Sequence, residues 1–140
     1  MKYKEVQKDL FKVNLEKYAP VHCIASDCRM GAGIAVPMKQ RFLLKDLISF
    51  SKEQRKHPTC IYYNGVYNLI TKEFSNDKPT LENLVTSLEL MKNHVDEYGF
   101  KYLVMPKIGC GLDGLNWKEV SFKLQQLFML TDVEILVCYL

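Results

Sequence analysis

"PVHCIASDCRMGAGIAVPMKQRF", residues 20–42, begins as one kind of structure and ends as another. Residues 20–26 are a short apolar run with a β-branched residue at each end of its core, the pattern of a strand buried on both faces. Two glycines, Gly31 and Gly33, then interrupt the chain. From Gly33 to Phe42 small and apolar residues at helical spacing follow. A buried strand, a glycine turn and a helix make up the repeating unit of an α/β fold.

The rest of the chain continues that alternation. "KYKEVQ", residues 2–7, alternates as a half-exposed strand does. Residues 43–51 extend the helix pattern, and His57-Pro58 breaks it. In "TCIYYNGVYNLITK", residues 59–72, two β-prone runs flank Asn64-Gly65. That dipeptide suits a type I′ hairpin turn, whose two central residues both need positive φ. A hairpin inside an alternating chain makes the sheet mixed.

A long helix is expected from residue 81. Thr80 is its N-cap, Leu81, Leu84, Val85, Leu88, Met91 and Val95 form its apolar stripe, and Gly99 is the residue that stops it. Residues 101–106 read as a buried strand ended by Pro106. Next comes a second glycine loop, "IGCGLDGL", residues 108–115. Asn116 with Glu119 opens another helix in capping-box spacing, carrying Val120, Leu124, Leu127 and Phe128. "VEILVCYL" closes the chain as a strand.

Composition narrows the class. The chain has 140 residues, 48% hydrophobic and 25% charged, enough for a core without disulfides. No apolar run is long enough for a membrane span, and the first residues lack a signal peptide's apolar stretch, so a cytoplasmic protein is expected. Five cysteines without C-x-x-C spacing are expected to be free thiols, and no metal site is expected. The three histidines show no ligand spacing and read as structural or exposed. Trp117 reads as a packing anchor. A net charge of +3, with the lysines scattered, permits an anionic ligand without demanding a polymer.

Both glycine loops follow a strand and precede a helix. Ligands of open α/β sheets lie at the carboxyl ends of strands, and glycine lets main-chain N–H groups approach a phosphate. Two such loops facing each other fit two linked phosphates. The Walker pattern is absent, and "GAGIAV" lacks the third glycine of a dinucleotide fingerprint. Taken singly, other residues have ordinary readings. Lys72 is then a solvated strand-end lysine, Asp113 a turn residue, Asp9 a surface acid after an edge strand, and Ser26 a turn hydroxyl.

Together, "HCIASDCRMGAGIAVPMKQRF", "YNLITK", "KPTLENLVTSLELMK", "MPKIGCGLDGLNW" and the terminal "CYL" resemble a macrodomain over nearly the whole chain. More narrowly, they resemble the terminal ADP-ribose protein glycohydrolase branch. The resemblance implies an α/β fold of three layers, α/β/α, around a mixed central sheet, with residues 1–140 as one domain. It implies ADP-ribose as ligand and, as reaction, removal of ADP-ribose from protein carboxylates or from DNA nucleobases. Lys72 would attack the distal ribose and form a covalent lysine–sugar intermediate, which Asp113 helps to resolve.

The same resemblance assigns Asp9, followed by Leu10, to the adenine amino group, although the family usually has glycine where this chain has Lys8. It places Ser26 near the distal ribose and Arg29 at a phosphate or the pocket wall. The first loop would contribute Met30, Gly31, Gly33, Ile34 and Ala35. The second would contribute Pro106, Ile108, Gly109, Cys110, Gly111 and Leu112, largely through main-chain N–H groups. Tyr139 and Leu140 would lie beside adenine or complete the last strand's packing. Cys110 has no paired histidine and is not expected to be the nucleophile. No cofactor is needed, and a monomer is expected. A non-catalytic ADP-ribose-binding module and an O-acetyl-ADP-ribose deacetylase are the alternative functions.

Overall fold

Strand and helix alternate along the chain as expected. In the computed structural model, which describes residues 1–140, the strands are β1 (Lys2–Gln7), β2 (Ala19–Ala25), β3 (Thr59–Tyr63), β4 (Val66–Lys72), β5 (Tyr102–Met105) and β6 (Glu134–Tyr139). The helices are α1 (Ala35–Arg41), α2 (Leu81–Tyr98) and α3 (Trp117–Phe128), with 3-10 turns at Leu10–Lys12 and Leu44–Ser49. The six strands form one sheet in the order β1-β6-β5-β2-β4-β3. Every neighbouring pair is parallel except β3 and β4, the hairpin. Asn64 and Gly65 at its turn have φ of 48° and 81°, the signs a type I′ turn needs.

Alternation along the strands sorts side chains into two cores. Val21, Tyr67, Leu69, Leu103, Met105, Ile135 and Val137 face α2 and α3, where Leu84, Leu88, Met91, Val95, Val120, Leu124 and Phe128 meet them. Ile24, Ile70, Val104 and Cys138 face the other way, onto Met38 of α1 and onto Leu44 and Leu47. The result is the α/β/α sandwich of three layers. No helix is long and apolar enough to cross a membrane.

The caps of α2 and α3 are those expected. Thr80 Oγ1 accepts from Asn83 N at 3.1 Å, Gly99 closes α2 at φ 71°, and Asn116 Oδ1 accepts from Glu119 N at 3.2 Å. Residues 43–51 are a correction. Leu43 turns left-handed at φ 56°, and only a 3-10 turn comes after it. Leu44 and Leu47 are three residues apart, and a 3-10 turn stacks such positions on one side, so both reach the core.

Inside the second core lies a buried polar pair. His22 Nε2 is 2.6 Å from Asn68 Oδ1, and Asn68 Nδ2 donates to the carbonyls of Ile61 and Val66 at 3.0 and 3.1 Å. Those two donations orient the amide, so Nε2 of His22 carries the proton. Burial pushes the His22 pKa down to about 4, against a smaller upward pull from Asn68. Between pH 6.5 and 4 the unfolded chain therefore binds a proton at this site that the folded chain refuses. The stability that the neutral ring secures is complete above the unfolded pKa, and about 3 kcal/mol of it drains away as pH falls to about 4. Urea unfolding at pH 7 and pH 4.5 should show this loss in the parent protein. It should be largely missing from the His22→Gln variant, whose amide can still donate to Asn68.

Candidate active site

A cleft of about 860 Å³ opens along the carboxyl ends of the parallel strands. It is lined by residues that come after β1, β2, β4 and β5 and by the end of β6. Sheet order sets its length. β1 and β6 carry Asp9, Leu10, Tyr139 and Leu140 to one end, β2 and β4 bring Lys72 to the other, and the loop after β5 spans the middle.

Both glycine loops line this cleft. Met30, Gly31, Gly33, Ile34 and Ala35 come from the first, and Pro106, Ile108, Gly109, Cys110, Gly111, Leu112 and Asp113 from the second. The first loop bends through left-handed residues, with φ of 55° at Cys28, 49° at Met30 and 61° at Gly33. A β-carbon added at Gly33 would lie 3.5 Å from Leu112 Cδ1, so the two loops meet there. The Lys78 amine donates to the Leu112 carbonyl and ties the second loop to the segment after β4.

Gly109, at φ 72°, is the tightest of the glycines. A β-carbon there would stand 3.0 Å from Leu115 Cδ1 and 3.1 Å from Leu84 Cδ2. Gly109→Ala should cost about 1–3 kcal/mol through backbone strain and overpacking together. Thermal unfolding should show it as a clear drop in Tm, while Gly111→Ala, where a β-carbon meets nothing within 4 Å, should leave Tm near the parent value.

Lys72 is the last residue of β4. The register against β2 slips by one residue just before it: Ile24 opposes Ile70, but Ala25 opposes Lys72. Such a bulge bends the strand and re-aims the side chains beyond it. The Lys72 amine donates to Asp113 Oδ1 at 2.7 Å and to the Ser75 carbonyl at 3.0 Å. Both members of the ion pair are largely enclosed, with side-chain exposures of 13% and 17%. An amine and a carboxylate from segments 41 residues apart thus share one enclosed corner of the cleft.

At the far end, Asp9 caps the 3-10 turn through Oδ1, which accepts from Phe11 N at 3.0 Å. Its second oxygen has no protein partner. Lys8 N donates to the Tyr139 carbonyl at 2.8 Å, and Lys8 is not among the positive-φ residues, so lysine fits where the family usually has glycine. Tyr139 and Leu140 are exposed residues at the cleft rather than core residues, and the Lys107 amine lies 4.7 Å from the centre of the Tyr139 ring.

Two expected ligand residues do not line the cleft. Ser26 is used in the sheet: its N–H and Oγ both donate to the Lys72 carbonyl, at 2.9 and 3.3 Å. Its carbonyl in turn accepts from Arg55. Arg29 is exposed, and its carbonyl accepts from Lys39 Nζ at 3.1 Å. Cys110 donates to the Ile108 carbonyl at 3.2 Å, and burial pushes its thiol up to about 11, which keeps it protonated and unreactive.

The sequence reading missed Lys8, Phe11, Ser75, Asn76, Lys78 and Lys107, which also line the cleft. Lys8, Phe11 and Lys107 adjoin residues that the resemblance names, whereas Ser75, Asn76 and Lys78 carry no such mark, because the topology alone brings them there. Trp117, expected as a packing anchor, also borders the cleft and donates from Nε1 to Glu5 Oε2 at 3.2 Å. Its place directly after the second glycine loop was the available signal.

No protein-family model matches the chain. Over 120 residues it is 46% identical to the ADP-ribose glycohydrolase OARD1 of Bos taurus, covering 84% of this chain and 78% of that protein. Among solved structures, the macrodomain of Mycobacterium tuberculosis DarG superposes with a TM-score of 0.82 at 20% identity, over 97% of this chain and 96% of that one. Thermosipho africanus DarTG in complex with ADP-ribose superposes with a TM-score of 0.75 at 17% identity, over 98% of this chain and 41% of that one. The structural matches give the fold, the sequence match gives the kinship, and the chain belongs to the OARD1 ADP-ribose glycohydrolase family, built on the macrodomain fold.

Proposed function

We propose that the protein removes single ADP-ribose groups from protein carboxylates or from DNA bases, with Lys72 as nucleophile and Asp113 as its acid–base partner. The observation that carries this reading is the Lys72–Asp113 contact of 2.7 Å at the enclosed end of a cleft bordered by two glycine loops. A module that only held ADP-ribose would have no use for a largely enclosed amine–carboxylate pair at that end. The cleft is lined by Lys8, Lys72, Lys78 and Lys107 against Asp9 and Asp113, a positive balance that favours a diphosphate. The T. africanus complex supports ADP-ribose as the ligand of such a fold.

In this reading Asp113 takes a proton from the Lys72 ammonium, and the freed amine attacks C1 of the distal ribose. The nitrogen–carbon bond forms as the bond from C1 to the leaving group breaks. A carboxylate departs as the anion while Asp113 passes its proton to solvent, and a nucleobase departs with the proton returned from Asp113, so either route leaves Asp113 ionised for the second step. Water then attacks C1, Asp113 accepts its proton, and Lys72 leaves as the amine. The covalent relay splits one hard displacement into two easier ones.

The five free cysteines support action in a reducing compartment, which we take to be the cytoplasm. The test is parallel incubation with glutamate-linked, thymidine-linked and guanosine-linked ADP-ribose, with O-acetyl-ADP-ribose as a further arm. Free ADP-ribose from at least one of the first three is expected. Tight calorimetric binding of ADP-ribose with no release from any conjugate would reduce the protein to a binding module.

A further inference from the structure

We infer that Asp27 and Ser75 form a clamp that fixes the Lys72 amine for attack, which makes Asp27 a positioning residue of the reaction. This rests on the reading of Lys72 as nucleophile. A lysine side chain turns about four single bonds, and an ion pair with one carboxylate leaves much of that freedom. The Ser75 carbonyl is the second anchor, accepting from Lys72 Nζ at 3.0 Å. Once Asp113 has taken its proton, Ser75 is the anchor that still holds an N–H of the amine in place.

A carbonyl in a turn after a strand holds an amine still only if the turn itself is still. Ser75 is gripped from behind by both oxygens of Asp27. Its N–H donates to Oδ2 and its hydroxyl to Oδ1, each at 2.7 Å. The short distances are those of charge-assisted hydrogen bonds, roughly twice as strong as neutral ones. Asp27 is itself fixed. Arg29 N donates to its Oδ1 at 3.1 Å, and its own N–H donates to the Glu73 carbonyl at 3.2 Å.

The rest of the turn closes on itself. Phe74 N donates to Asp77 Oδ2 at 3.0 Å, and Asp77 N donates to the Phe74 carbonyl at 2.9 Å. Asp27 does not line the cleft, whereas Ser75 does. The carboxylate therefore acts on the amine only through the Ser75 backbone, across a separation of 48 residues.

The test compares the parent with Asp27→Asn, Ser75→Ala, Ser75→Thr and Lys72→Ala. It measures kcat, Tm, calorimetric affinity for ADP-ribose, and the rate at which the lysine–sugar adduct forms. Asp27→Asn keeps size and shape but removes the charge, and whichever way the amide turns its N–H meets a backbone N–H, that of Ser75 or that of Arg29. A misplacement of about 1 Å can cost roughly a hundredfold, so kcat and adduct formation should both fall by about ten- to a hundredfold. ADP-ribose affinity should stay near the parent value. Ser75→Ala, which keeps the N–H bond, should lose less, and Ser75→Thr should restore activity.

Parent-like kcat in Asp27→Asn overturns the clamp. So does a fall in kcat matched by an equal loss of ADP-ribose affinity, which is what a merely structural role produces. If Asp27→Asn does not fold, the contrast between Ser75→Ala and Ser75→Thr decides, and equal activity in the two overturns the clamp. Lys72→Ala separates the two ideas: parent-like turnover there removes the nucleophile reading itself, whereas a dead Lys72→Ala beside an unimpaired Asp27→Asn removes the clamp alone.

Discussion

Lys72→Ala should lose turnover by roughly a thousandfold or more while binding ADP-ribose about as well as the parent. The amine is the only group in the cleft that combines nucleophilic chemistry with a proton acceptor in contact, Asp113 at 2.7 Å. The glycine loops that border the cleft are built from other residues and do not depend on it. The variant leaves the Asp113 carboxylate without its cation, but at 17% exposure that carboxylate keeps access to water, so the fold should survive. Lys72→Arg sharpens the test. It keeps a positive charge beside Asp113 but offers a guanidinium that stays protonated and does not attack. If the amine only stabilises charge, arginine should retain much of the rate. If it forms a bond to carbon, arginine should be as inactive as alanine. Turnover of Lys72→Ala at the parent rate would remove the covalent route.

The parts of this molecule that could be read from sequence are those whose instructions lie within a few residues of one another. Thr80, the stripe through Leu84, Leu88, Met91 and Val95, and Gly99 define α2 without help from the rest of the chain. Asn64-Gly65 defines the hairpin in the same way. Residues 43–51 misled because helical spacing of apolar residues cannot show that Leu43 will adopt φ 56° and stop an α-helix from forming. The bulge before Lys72 is equally silent, since it exists only in the pairing with β2. In the site, Lys72 and Asp113 were expected from their motifs, and the structure brings them within 2.7 Å of each other. Ser26 was expected near the distal ribose from the resemblance, and the structure engages its N–H and Oγ in the sheet. Ser75 and Asp27 carry no local mark. Their chemistry depends on a meeting of segments that spacing along the chain does not encode.

Asp113→Ala should fail differently from Lys72→Ala, and the difference is the sharper evidence on mechanism. In the first step the carboxylate relieves the ammonium of a proton; in the second it draws a proton from water. General acid–base groups contribute about 10²–10⁴-fold, so turnover should drop within that range. Attack by the amine needs only that some other base take one proton, and at 13% exposure the amine can lose it to water. Hydrolysis of the lysine–sugar bond needs a water that is both activated and placed, and no other acid lines this end of the cleft. The second step should therefore suffer more, and the adduct should accumulate on Lys72. Intact-protein mass spectrometry after a single turnover should show the parent mass plus one ADP-ribosyl group in Asp113→Ala, and no added mass in Lys72→Ala or in the double variant. Asp113→Asn should resemble Asp113→Ala in rate but not in stability, because its amide oxygen can still accept from the amine while taking no proton. Slow turnover in Asp113→Ala with no added mass on any lysine would mean that the second step is not the one the carboxylate limits, and would overturn its role in resolving the adduct.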